Sequence, residues 1–412
     1  MTKRLLIIIP TRSRGGVEAH GLVVGTAAQR SGWQVEVAFP KLPNTQRLIA
    51  DFETQHVRYR PLAIGETEVR GANTLSELIK TVPTRVLAWI EKPWQFVRVL
   101  ACLLKSRPDV VLINLPWADK GFTSLLACAL LNQPAAVVFH LIPWPLEVSG
   151  QKRWLYEWMR RRKQAWIGIS ENNRQLISAT FGCPVGEVIR TYNGVPLPNR
   201  VGPQPHQADL RADLKADLRA DLKANLNGEL NLPEESVILL TVARLDAQKG
   251  HNYLIPAIPH LVQQFPRIHF VWVGQGEQRA LLERRLEDYG VRSSVSFLGY
   301  RQDIEALLRA SDLFVFPTHF EGFPFALLEA MACGVPVISA NANGIPEIVE
   351  HRTHGLLTRK GDSCDLLEAL RWALHNPQAM QKMAERAALR VRDFSQEKMV
   401  AETLEVLEKR SE

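Results

Sequence analysis

The chain has 412 residues, of which 46% are hydrophobic and 23% charged, so it can bury a sizeable core and is expected to form two domains. Its longest apolar runs, such as residues 124–131, fall well short of the roughly 20 residues that span a bilayer, which argues against a transmembrane helix. The formal net charge of +7 suits nucleic acid, anionic lipid or phosphorylated substrates and does not choose among them.

The first segment, MTKRLLIIIP, places basic residues before an apolar run, as a signal peptide does. Only five apolar residues precede Pro10, however, and no small-residue cleavage pattern follows, so the segment predicts a buried strand. Five cysteines are scattered along the chain without CxxC or metal-type spacing. This pattern is typical of free thiols in a reducing compartment, and the expected location is the cytoplasm.

Apolar, β-branched runs recur along the chain, and each is followed by a longer segment of helical pattern. The first half contains RLLIIIP, QVEVAFP, DVVLINL, AAVVFHL and AWIGIS, and the second contains VILLTVARL, IHFVWVG, SVSFLGY, DLFVFPT and VPVISAN. Such alternation is typical of parallel sheets buried on both faces. The pattern predicts two α/β units, whose ligands lie beyond the carboxyl ends of the strands.

Two stretches of the first half, residues 84–107 and 152–166, combine aromatic with basic residues. The second stretch contains Trp154, Tyr156, Trp158, Arg160, Arg161, Arg162 and Lys163. This composition suits a helix that lies on an anionic membrane surface. An ordinary helix that packs its aromatic residues into the domain and leaves a solvated basic face fits equally well. Nucleic acid is a less favoured partner, because no recognised binding motif accompanies the charge.

The repeat ADLRADLKADLRADLKANLN, residues 208–227, separates the two halves. Its residues favour a helix, yet a period of four drifts by about 40° per repeat on a 3.6-residue turn, so its leucines form no single stripe. Like charges also recur at i,i+4, which is mildly unfavourable. The segment is predicted to be a solvent-exposed helical or partly disordered linker, and a partner-binding helix is the alternative.

Two cations follow a predicted strand in TVARLDAQKGHNYLI, residues 241–255. Arg244 lies at the strand end, and Lys249 precedes Gly250 at a helix entry. Arginine can bind phosphate oxygens bidentately and lysine acts as a point charge, so the pair suits a diphosphate, while a solvated loop is the plainer interpretation. The Gly-rich turn in VGQGEQRALLE, residues 273–283, adds a second strand-to-helix loop, although G-x-G alone is weak support.

The run EGFPFALLEAMACGVPV, residues 321–337, places Glu321 and Glu329 eight positions apart. On one helix they would be separated by about 12 Å along the axis, which argues against a close acid and base pair. Pro324 favours a helix start, so Glu321 is expected in the turn before the helix and Glu329 within it. Gly322 leaves the unpaired N–H groups of the helix start open to a phosphate. The motif therefore predicts an elongated anion with a polar group at each end.

Together these motifs resemble the nucleotide-sugar half of the retaining GT-B glycosyltransferases of the family 4 type, the glycosyl transferases group 1. The resemblance rests on VARLDAQKG, VGQGEQRALL, VSFLGYRQDIEALLRASDLFVFPTHFEGFPFALLEAMACGVPVISANANGIPEIV and the later HGLL, in this order and spacing, over residues 236–360. The amino half is less distinctive, although PTRSRGGVEAHGLVVGTAAQRSGWQVEV and TYNGV also fit.

The resemblance implies a GT-B fold, in which two doubly wound, Rossmann-like domains face each other across a cleft. We expect an N-terminal acceptor domain over residues 1–200 and a nucleotide-sugar domain over residues 233–385. The repeat would fall in a low-complexity linker insert, residues 201–232. The last helix, within residues 386–412, would return to the N-terminal domain.

The resemblance also implies a role for each matching residue. Glu321 would contact hydroxyls of the transferred sugar, and Glu329 would hold the ribose hydroxyls of the nucleotide. Arg244 and Lys249 would hold the diphosphate and stabilise the leaving group. Further positions, several of them through their backbone, would complete the donor site: Gly15, Gly16, Gly274, Gly299, Tyr300, Gly322, Phe323 and Phe325.

The resemblance also implies a role for His140 and a mechanism for the reaction. His140 ends AAVVFH, where the family often carries a histidine beside the reacting sugar, and a core or capping histidine is the alternative. No residue stands out as a covalent nucleophile, so retention would rest on positioning and leaving-group stabilisation, with front-face substitution implied. The chain contains no D-x-D pair. We therefore expect neutralisation by Arg244 and Lys249, with no metal and no cofactor.

The sequence thus predicts a retaining glycosyltransferase of the hexosyltransferase class. It would move a sugar from a nucleotide-diphosphate sugar to a glycan, lipid-linked or small-molecule acceptor, in the synthesis of a cell-envelope polysaccharide or glycolipid. The expected location is the cytoplasm or, peripherally, the cytoplasmic face of the membrane. The alternatives are a GT-B epimerase, hydrolase or sugar phosphorylase, and a non-catalytic module that binds a sugar nucleotide.

Overall fold

The computed structural model describes five stretches of the chain: residues 2–11, 15–64, 84–118, 120–197 and 206–411. The chain divides into two compact units, which it links by passing between them twice. The first unit comprises Met1–Tyr192 and Glu397–Glu412, and the second comprises Asn193–Gln396.

The first unit is built on a sheet of seven parallel strands within its described residues. The strands are β1 (Arg4–Ile8), β2 (Gln34–Phe39), β3 (Arg58–Pro61), β4 (Val110–Leu115), β5 (Ala135–Phe139), β6 (Gln164–Gly168) and β7 (Val188–Arg190). Their order is β3-β2-β1-β4-β5-β6-β7, so the direction of build-up reverses between β1 and β4. Ligands of such doubly wound sheets bind at the carboxyl ends of the strands, beside the reversal.

Helices accompany these strands along the chain. They are Gly16–Arg30, Gln46–Thr54, Thr84–Ser106, Phe122–Leu130, Gly150–Arg161, Glu171–Phe181 and Gln396–Ser411. The sequence sets their ends locally, as one example shows. The Ser170 hydroxyl accepts the N–H of Asn173 and caps one helix, and Gly182 ends that helix with a φ of +75°.

The second unit repeats this architecture with six parallel strands among its described residues. The strands are β8 (Val237–Val242), β9 (Ile268–Val273), β10 (Val295–Gly299), β11 (Leu313–Phe316), β12 (Val337–Ala340) and β13 (Leu356–Thr358). Their order is β10-β9-β8-β11-β12-β13. The helices are His206–Leu230, His251–Leu254, Ile258–Gln264, Arg279–Asp288, Ile304–Ala310, Phe325–Ala332, Ile345–Ile348, Ser363–His375 and Pro377–Arg390.

Each sheet carries its own hydrophobic core. Every residue of β4 and β5 is buried, because the side chains of a parallel strand project to two covered faces. The core of the first unit includes Phe139, Tyr156, Trp166 and Phe181, whose ring centroids lie 4.5 to 6.3 Å apart. The prediction of an α/β protein with two Rossmann-like units is confirmed.

The segment predicted as a solvent-exposed helical or partly disordered linker is a helix, His206–Leu230, that belongs to the second unit. Towards its C-terminal end, Leu226 is buried. Arg219 and Lys223 both pair with Asp312, at 3.1 and 2.7 Å. Because one carboxylate serves both cations, the like charges at i,i+4 are offset there. The helical form of the prediction is therefore present, and Leu226 and Asp312 attach this part of the repeat to the second unit.

The unit boundaries also differ from the prediction. The first crossing lies at Tyr192–Asn193, before the predicted residue 200, and the second lies at Gln396–Glu397, after the predicted residue 386. The second boundary is shifted because the helix Pro377–Arg390 places its buried methionines in the core of the second unit. The final residues, Glu397–Glu412, count with the first unit.

Candidate functional site

The second unit gathers several loops at the carboxyl ends of its strands. Predicted donor-site residues lie in the loops after β8, β9, β10 and β11 or, for Gly299, at the end of β10. They are Arg244, Lys249, Gly274, Gly299, Tyr300 and Glu321. The N–H of Gly274 donates to the carbonyl of Gly299 at 2.7 Å, which joins the loops after β9 and β10. The structure therefore brings these residues to one edge of one sheet.

Two glycines allow these loops to approach so closely. A Cβ added to Gly250 would lie 1.9 Å from the carbonyl oxygen of Pro317, and one added to Gly274 would lie 1.9 Å from that of Ala243. Their φ angles, +72° and +141°, also fall where side chains are strained. Any larger residue at either position would push two loops of the site apart.

Lys249 and Glu321 form an ion pair between the loops after β8 and β11. The Nζ of Lys249 donates to Oε1 of Glu321, and the hydroxyl of Thr318 donates to the same oxygen at 3.2 Å. The two side chains are 14% and 9% exposed, so water screens the pair little. An ammonium group and a carboxylate held side by side can bind a phosphate oxygen and a neighbouring hydroxyl.

Arg244 is held by its own loop and keeps 50% of its side chain exposed. Its guanidinium pairs with Asp246 at 3.0 Å and donates to Oε1 of Gln248 at 3.1 Å. The amide of Gln248 in turn donates to the carbonyl of Phe320 at 2.9 Å. This chain of bonds ties the loop after β8 to the loop after β11, so one network orients both Arg244 and Lys249.

The helix that follows Glu321 begins at Phe325, with Pro324 as its extended N-cap. The first N–H groups of a helix have no partner within it, so its start suits a phosphate. Glu329 lies one turn further along, and burial raises the pKa of its carboxyl group. The side chain of Phe323 is buried, which leaves its backbone to serve the site. Gly322, between Glu321 and Phe323, is buried as well.

The first unit carries the remaining predicted residues. Gly15 is extended, with a φ of −165°, and the helix Gly16–Arg30 starts directly after it. His140 follows β5, and its Nε2 lies 3.2 Å from Oδ1 of Asn114. Its ring is also edge-on to that of His20, with centroids 5.0 Å apart.

His20, Asn114 and His140 form a buried polar cluster. Of these three residues, only His140 was predicted from the sequence. Burial, followed by the neighbouring His20, lowers the pKa of His140 well below 6.5. Burial lowers the pKa of His20 to about 4. Both imidazoles are therefore neutral near pH 7. The available signal was Asn114 itself, a polar residue inside the otherwise apolar strand VVLINL.

The basic stretch at residues 152–166 is less exposed than predicted. Tyr156 lies in the core of the first unit. Arg160 is 10% exposed and pairs with Glu157 at 2.8 Å, and Arg161 pairs with the same carboxylate at 2.7 Å. The prediction of a solvated basic face is therefore wrong for Arg160, whereas the side chain of Arg161 stays 74% exposed beside the same carboxylate.

The described parts of the chain contain neither a metal-type cluster of side chains nor a helix able to cross a membrane. No group of three or more His, Cys, Asp or Glu side chains there is placed to hold a metal ion. No helix there combines the length and apolar character needed to cross a membrane.

Two family profiles match the chain, one on each half. The family described as Glycosyl transferases group 1 matches residues 223–390, and the one described as Glycosyl transferase 4-like domain matches residues 15–194. The chain belongs to the group 1 glycosyltransferases. The resemblance to the glycosyl transferases group 1 is thereby confirmed, and retention of configuration stays a prediction.

Curated relatives of this group 1 glycosyltransferase match it over part of their length. An uncharacterised glycosyltransferase of Haemophilus influenzae is 27% identical over 169 residues, which are 41% of this chain and 48% of that protein. The UDP-Gal:alpha-D-GlcNAc-diphosphoundecaprenol alpha-1,3-galactosyltransferase of Escherichia coli is 35% identical over 144 residues, 34% of this chain and 37% of that one. The chain thus spans about half or less of the length of the curated relatives it matches first.

Solved structures resemble the chain over nearly its whole length. One is the Anabaena protein Alr3699/HepE in complex with UDP and glucose. The match covers 98% of this chain and 99% of the HepE chain, with a TM-score of 0.74 and 21% sequence identity. At this identity the likeness shows the fold. The group 1 glycosyltransferase therefore has the predicted GT-B fold, with two Rossmann-like domains in one chain.

Proposed function

We propose that this group 1 glycosyltransferase transfers a glycosyl group from a nucleoside-diphosphate sugar to an acceptor hydroxyl, with retention of anomeric configuration. The observation that carries the proposal is the ion pair of Lys249 and Glu321, beside Arg244 and ahead of the helix start at Phe325. Two cations and a helix start suit a diphosphate, and a buried carboxylate suits a sugar hydroxyl. These are the two parts of the donor that the reaction separates.

In this proposal each end of the donor has its own carboxylate. Glu321 accepts a hydrogen bond from a hydroxyl of the transferred sugar, and Glu329 accepts from the ribose diol. Burial raises the pKa of Glu329, and two donating ribose hydroxyls would favour its charged form again. UDP is the favoured nucleotide, because HepE was solved with UDP and the Escherichia coli relative is named for UDP-Gal.

The transfer step places its charge on the diphosphate. The bond between the anomeric carbon and the diphosphate oxygen breaks, and the diphosphate keeps the electron pair. The acceptor oxygen bonds to the same face of the sugar and passes its proton to the departing phosphate oxygen. Arg244 and Lys249 stabilise the negative charge that develops, so the step needs no divalent cation. Neutral His140 serves as a hydrogen-bonding partner for a substrate hydroxyl.

The acceptor we propose is a glycan or a lipid-linked sugar, as in the synthesis of an envelope polysaccharide or glycolipid. The name of the Escherichia coli relative states a sugar linked to diphosphoundecaprenol as its acceptor. We therefore place this chain at the same kind of step, on the side of the membrane where nucleotide sugars are made.

A panel of UDP-, GDP- and ADP-sugars tests this proposal, with release of nucleotide measured with and without acceptor. Acceptors to include are GlcNAc linked to diphosphoundecaprenol and free monosaccharides. We expect acceptor-dependent release of UDP, a product with the anomeric configuration of the donor by NMR, and full activity in EDTA. Acceptor-independent release would indicate a hydrolase, an epimerised donor an epimerase, and binding without turnover a non-catalytic module. A product with inverted anomeric configuration would contradict retention and leave the proposed glycosyl transfer standing.

We further propose that the first unit contacts an anionic membrane surface through the helix Thr84–Ser106. Three residues on one face of this helix, Trp94, Val97 and Leu104, are 62%, 51% and 61% exposed. Arg98 and Lys105 lie on the same stretch of helix. Exposed tryptophan and leucine beside cations are typical of helices that lie in a membrane interface.

Sedimentation with vesicles tests this surface. The parent should sediment with vesicles of anionic lipid and stay in solution with zwitterionic ones, and Trp94→Ser with Leu104→Ser should reduce sedimentation without lowering Tm. Leu281→Ser and Leu389→Ser, two exposed leucines of the second unit, are the controls. Equal sedimentation of the helix variant and the parent would contradict the proposal.

A further inference from the structure

A buried asparagine ties the donor loop to the first crossing of the chain. Asn193 is the first residue of the second unit and is 3% exposed. Its Nδ2 donates to the carbonyl of Phe323 at 2.8 Å, across 130 positions of sequence. That carbonyl belongs to the peptide bond with Pro324, directly before the helix start at Phe325. Asn193 therefore fixes the orientation of the peptide that separates Glu321 from the helix start.

The second crossing contacts the same loop through an aromatic pair. The rings of Phe323 and Phe394 are 2% and 3% exposed and pack edge-on, with centroids 5.0 Å apart. The guanidinium of Arg390 lies 4.9 Å from the Phe394 ring centroid and donates to the carbonyl of Glu347 at 3.0 Å. Phe323 is thus held by its carbonyl from one crossing and by its ring from the other.

The two crossing segments also pair with each other. The N–H of Val195 donates to the carbonyl of Phe394 at 3.1 Å, and the N–H of Gln396 donates to the carbonyl of Val195 at 2.9 Å. A Cβ added to Gly194 would lie 2.2 Å from the carbonyl oxygen of Ser395. Only glycine allows this approach. The two crossing segments are therefore packed against each other, and both contact Phe323.

We propose that Asn193 and Phe394 are positioning residues for glycosyl transfer. By holding the backbone and ring of Phe323, they set the direction of Glu321 and of the N–H groups at the helix start. The inference rests on the proposed function for its effect on transfer. It also has a reciprocal consequence, because a nucleotide that stabilises the donor loop must stabilise the paired crossing segments by the same free energy.

The chain offers matched variants for both residues. Asn193→Asp replaces the donating amide with a carboxylate oxygen that faces the Phe323 carbonyl. Asn227→Asp is its control, because Asn227 is also 3% exposed and its Nδ2 donates to backbone carbonyls away from the loop, at 3.2 and 3.0 Å. Phe394→Leu removes the ring edge, and Phe270→Leu, in the core on β9, is the control for the lost ring volume.

Hydrogen exchange gives a readout that does not depend on activity. We expect residues 318–332 to exchange about tenfold faster in Asn193→Asp and Phe394→Leu than in the controls, because the loop loses its local support. In the parent, UDP should slow exchange at the bridging N–H groups of Val195 and Gln396. In Asn193→Asp it should no longer do so. If residues 318–332 exchange no faster than in the controls, the proposal is overturned. If Asn193→Asp does not fold, Phe394→Leu alone decides in the same way.

Kinetics then separate positioning from loss of stability. At equal Tm, kcat for transfer should fall about tenfold more in Asn193→Asp than in Asn227→Asp, with a smaller change in the Kd for UDP. A kcat equal to that of the control would overturn the assigned role. If the parent transfers no sugar from any donor, the proposed function fails by itself, and the exchange measurements still decide whether the crossings hold the donor loop.

Discussion

The donor loops of the second unit and the polar cluster of the first hold their side chains in opposite electrostatic settings. Around Lys249 and Glu321 the groups are charged, lie on loops and neutralise each other across an ion pair. Around His140 the groups are uncharged and fully inside the unit, and they meet through hydrogen bonds and ring contacts. Charge needs a partner before it can be buried, whereas a neutral imidazole needs only a hydrogen bond. The first setting suits a diphosphate and the second suits a hydroxyl.

Removing a cation from the donor loops should have the largest effect and tests the charged side of this comparison. Arg244→Ala or Lys249→Ala should lower turnover of the donor by about a hundredfold or more, because in the proposed reaction each supplies charge to the leaving group. Arg267→Ala is the control, since Arg267 is exposed and pairs with Glu235 on the surface. Near-normal turnover in both variants, measured at saturating acceptor, would show that these two cations have no role in catalysis.

The two carboxylates of the donor site should separate into different functions. Glu321→Gln should lower kcat and relax the choice of sugar, because it removes the charge of the acceptor proposed for the sugar hydroxyl and the ionic partner of Lys249. Glu329→Gln should mainly weaken UDP binding, by about tenfold, as expected for a charged hydrogen bond. Calorimetry with free UDP checks this division. Equal loss of UDP affinity in both variants would contradict it.

The neutral side of the comparison should show in the pH dependence of stability. The pKa of His20 is about 4 in the folded chain and about 6.5 when unfolded, so the unfolded state binds the proton first as the pH falls. The contribution of neutral His20 is full above pH 6.5 and is lost towards pH 4. Between pH 7 and 4.5 this costs about 2 kcal/mol of unfolding free energy.

His20→Gln should therefore show a smaller loss of unfolding free energy than the parent over that range, measured by urea titration at each pH. His260→Gln, at an exposed position, is the control and should behave as the parent does. The same dependence in the parent and in His20→Gln would mean that the fold does not lower the pKa of His20. The contrast between a neutral cluster and charged donor loops would then fail below about pH 6.5.

The smallest effect is expected at Asp312, outside both sites. Asp312→Asn removes the charge that Arg219 and Lys223 share, while its side chain can still accept the N–H of Ile238. Because the three side chains are partly exposed, the loss should be about 1 kcal/mol, seen as a modest fall in Tm. Turnover should stay unchanged. A loss of turnover at constant Tm would show that the repeat helix contributes to the site.

The donor loops could be predicted because their signals are local in sequence. Arg244, Lys249 and Glu321 follow apolar strands, the last two stand next to glycines, and parallel strands bring such loops to one edge of a sheet. The family resemblance then supplied their roles. The start of the helix was predicted to within one residue, since Pro324 is its N-cap.

The missed features depend on contacts between distant segments. Asn193 and Phe323 are 130 positions apart, and nothing in either local pattern points to the other. Arg160 looked solvated because one of its partners, Glu187, lies directly before β7 and meets it only in the fold, whereas Glu157, three residues earlier on the same helix, was a local signal. A sequence pattern shows which groups need a partner, and the fold decides which group supplies it.

The anchoring of the repeat helix has a consequence for how this chain can change over generations. Its anchors, Arg219 and Lys223, lie towards the C-terminal end of His206–Leu230. A tandem duplication of one four-residue unit ahead of Arg219 would lengthen the helix by about 6 Å and turn the preceding residues by about 40°. The anchored turns would keep their phase against Asp312. A duplication ahead of the anchors would therefore leave the pairing of Arg219 and Lys223 with Asp312 unchanged.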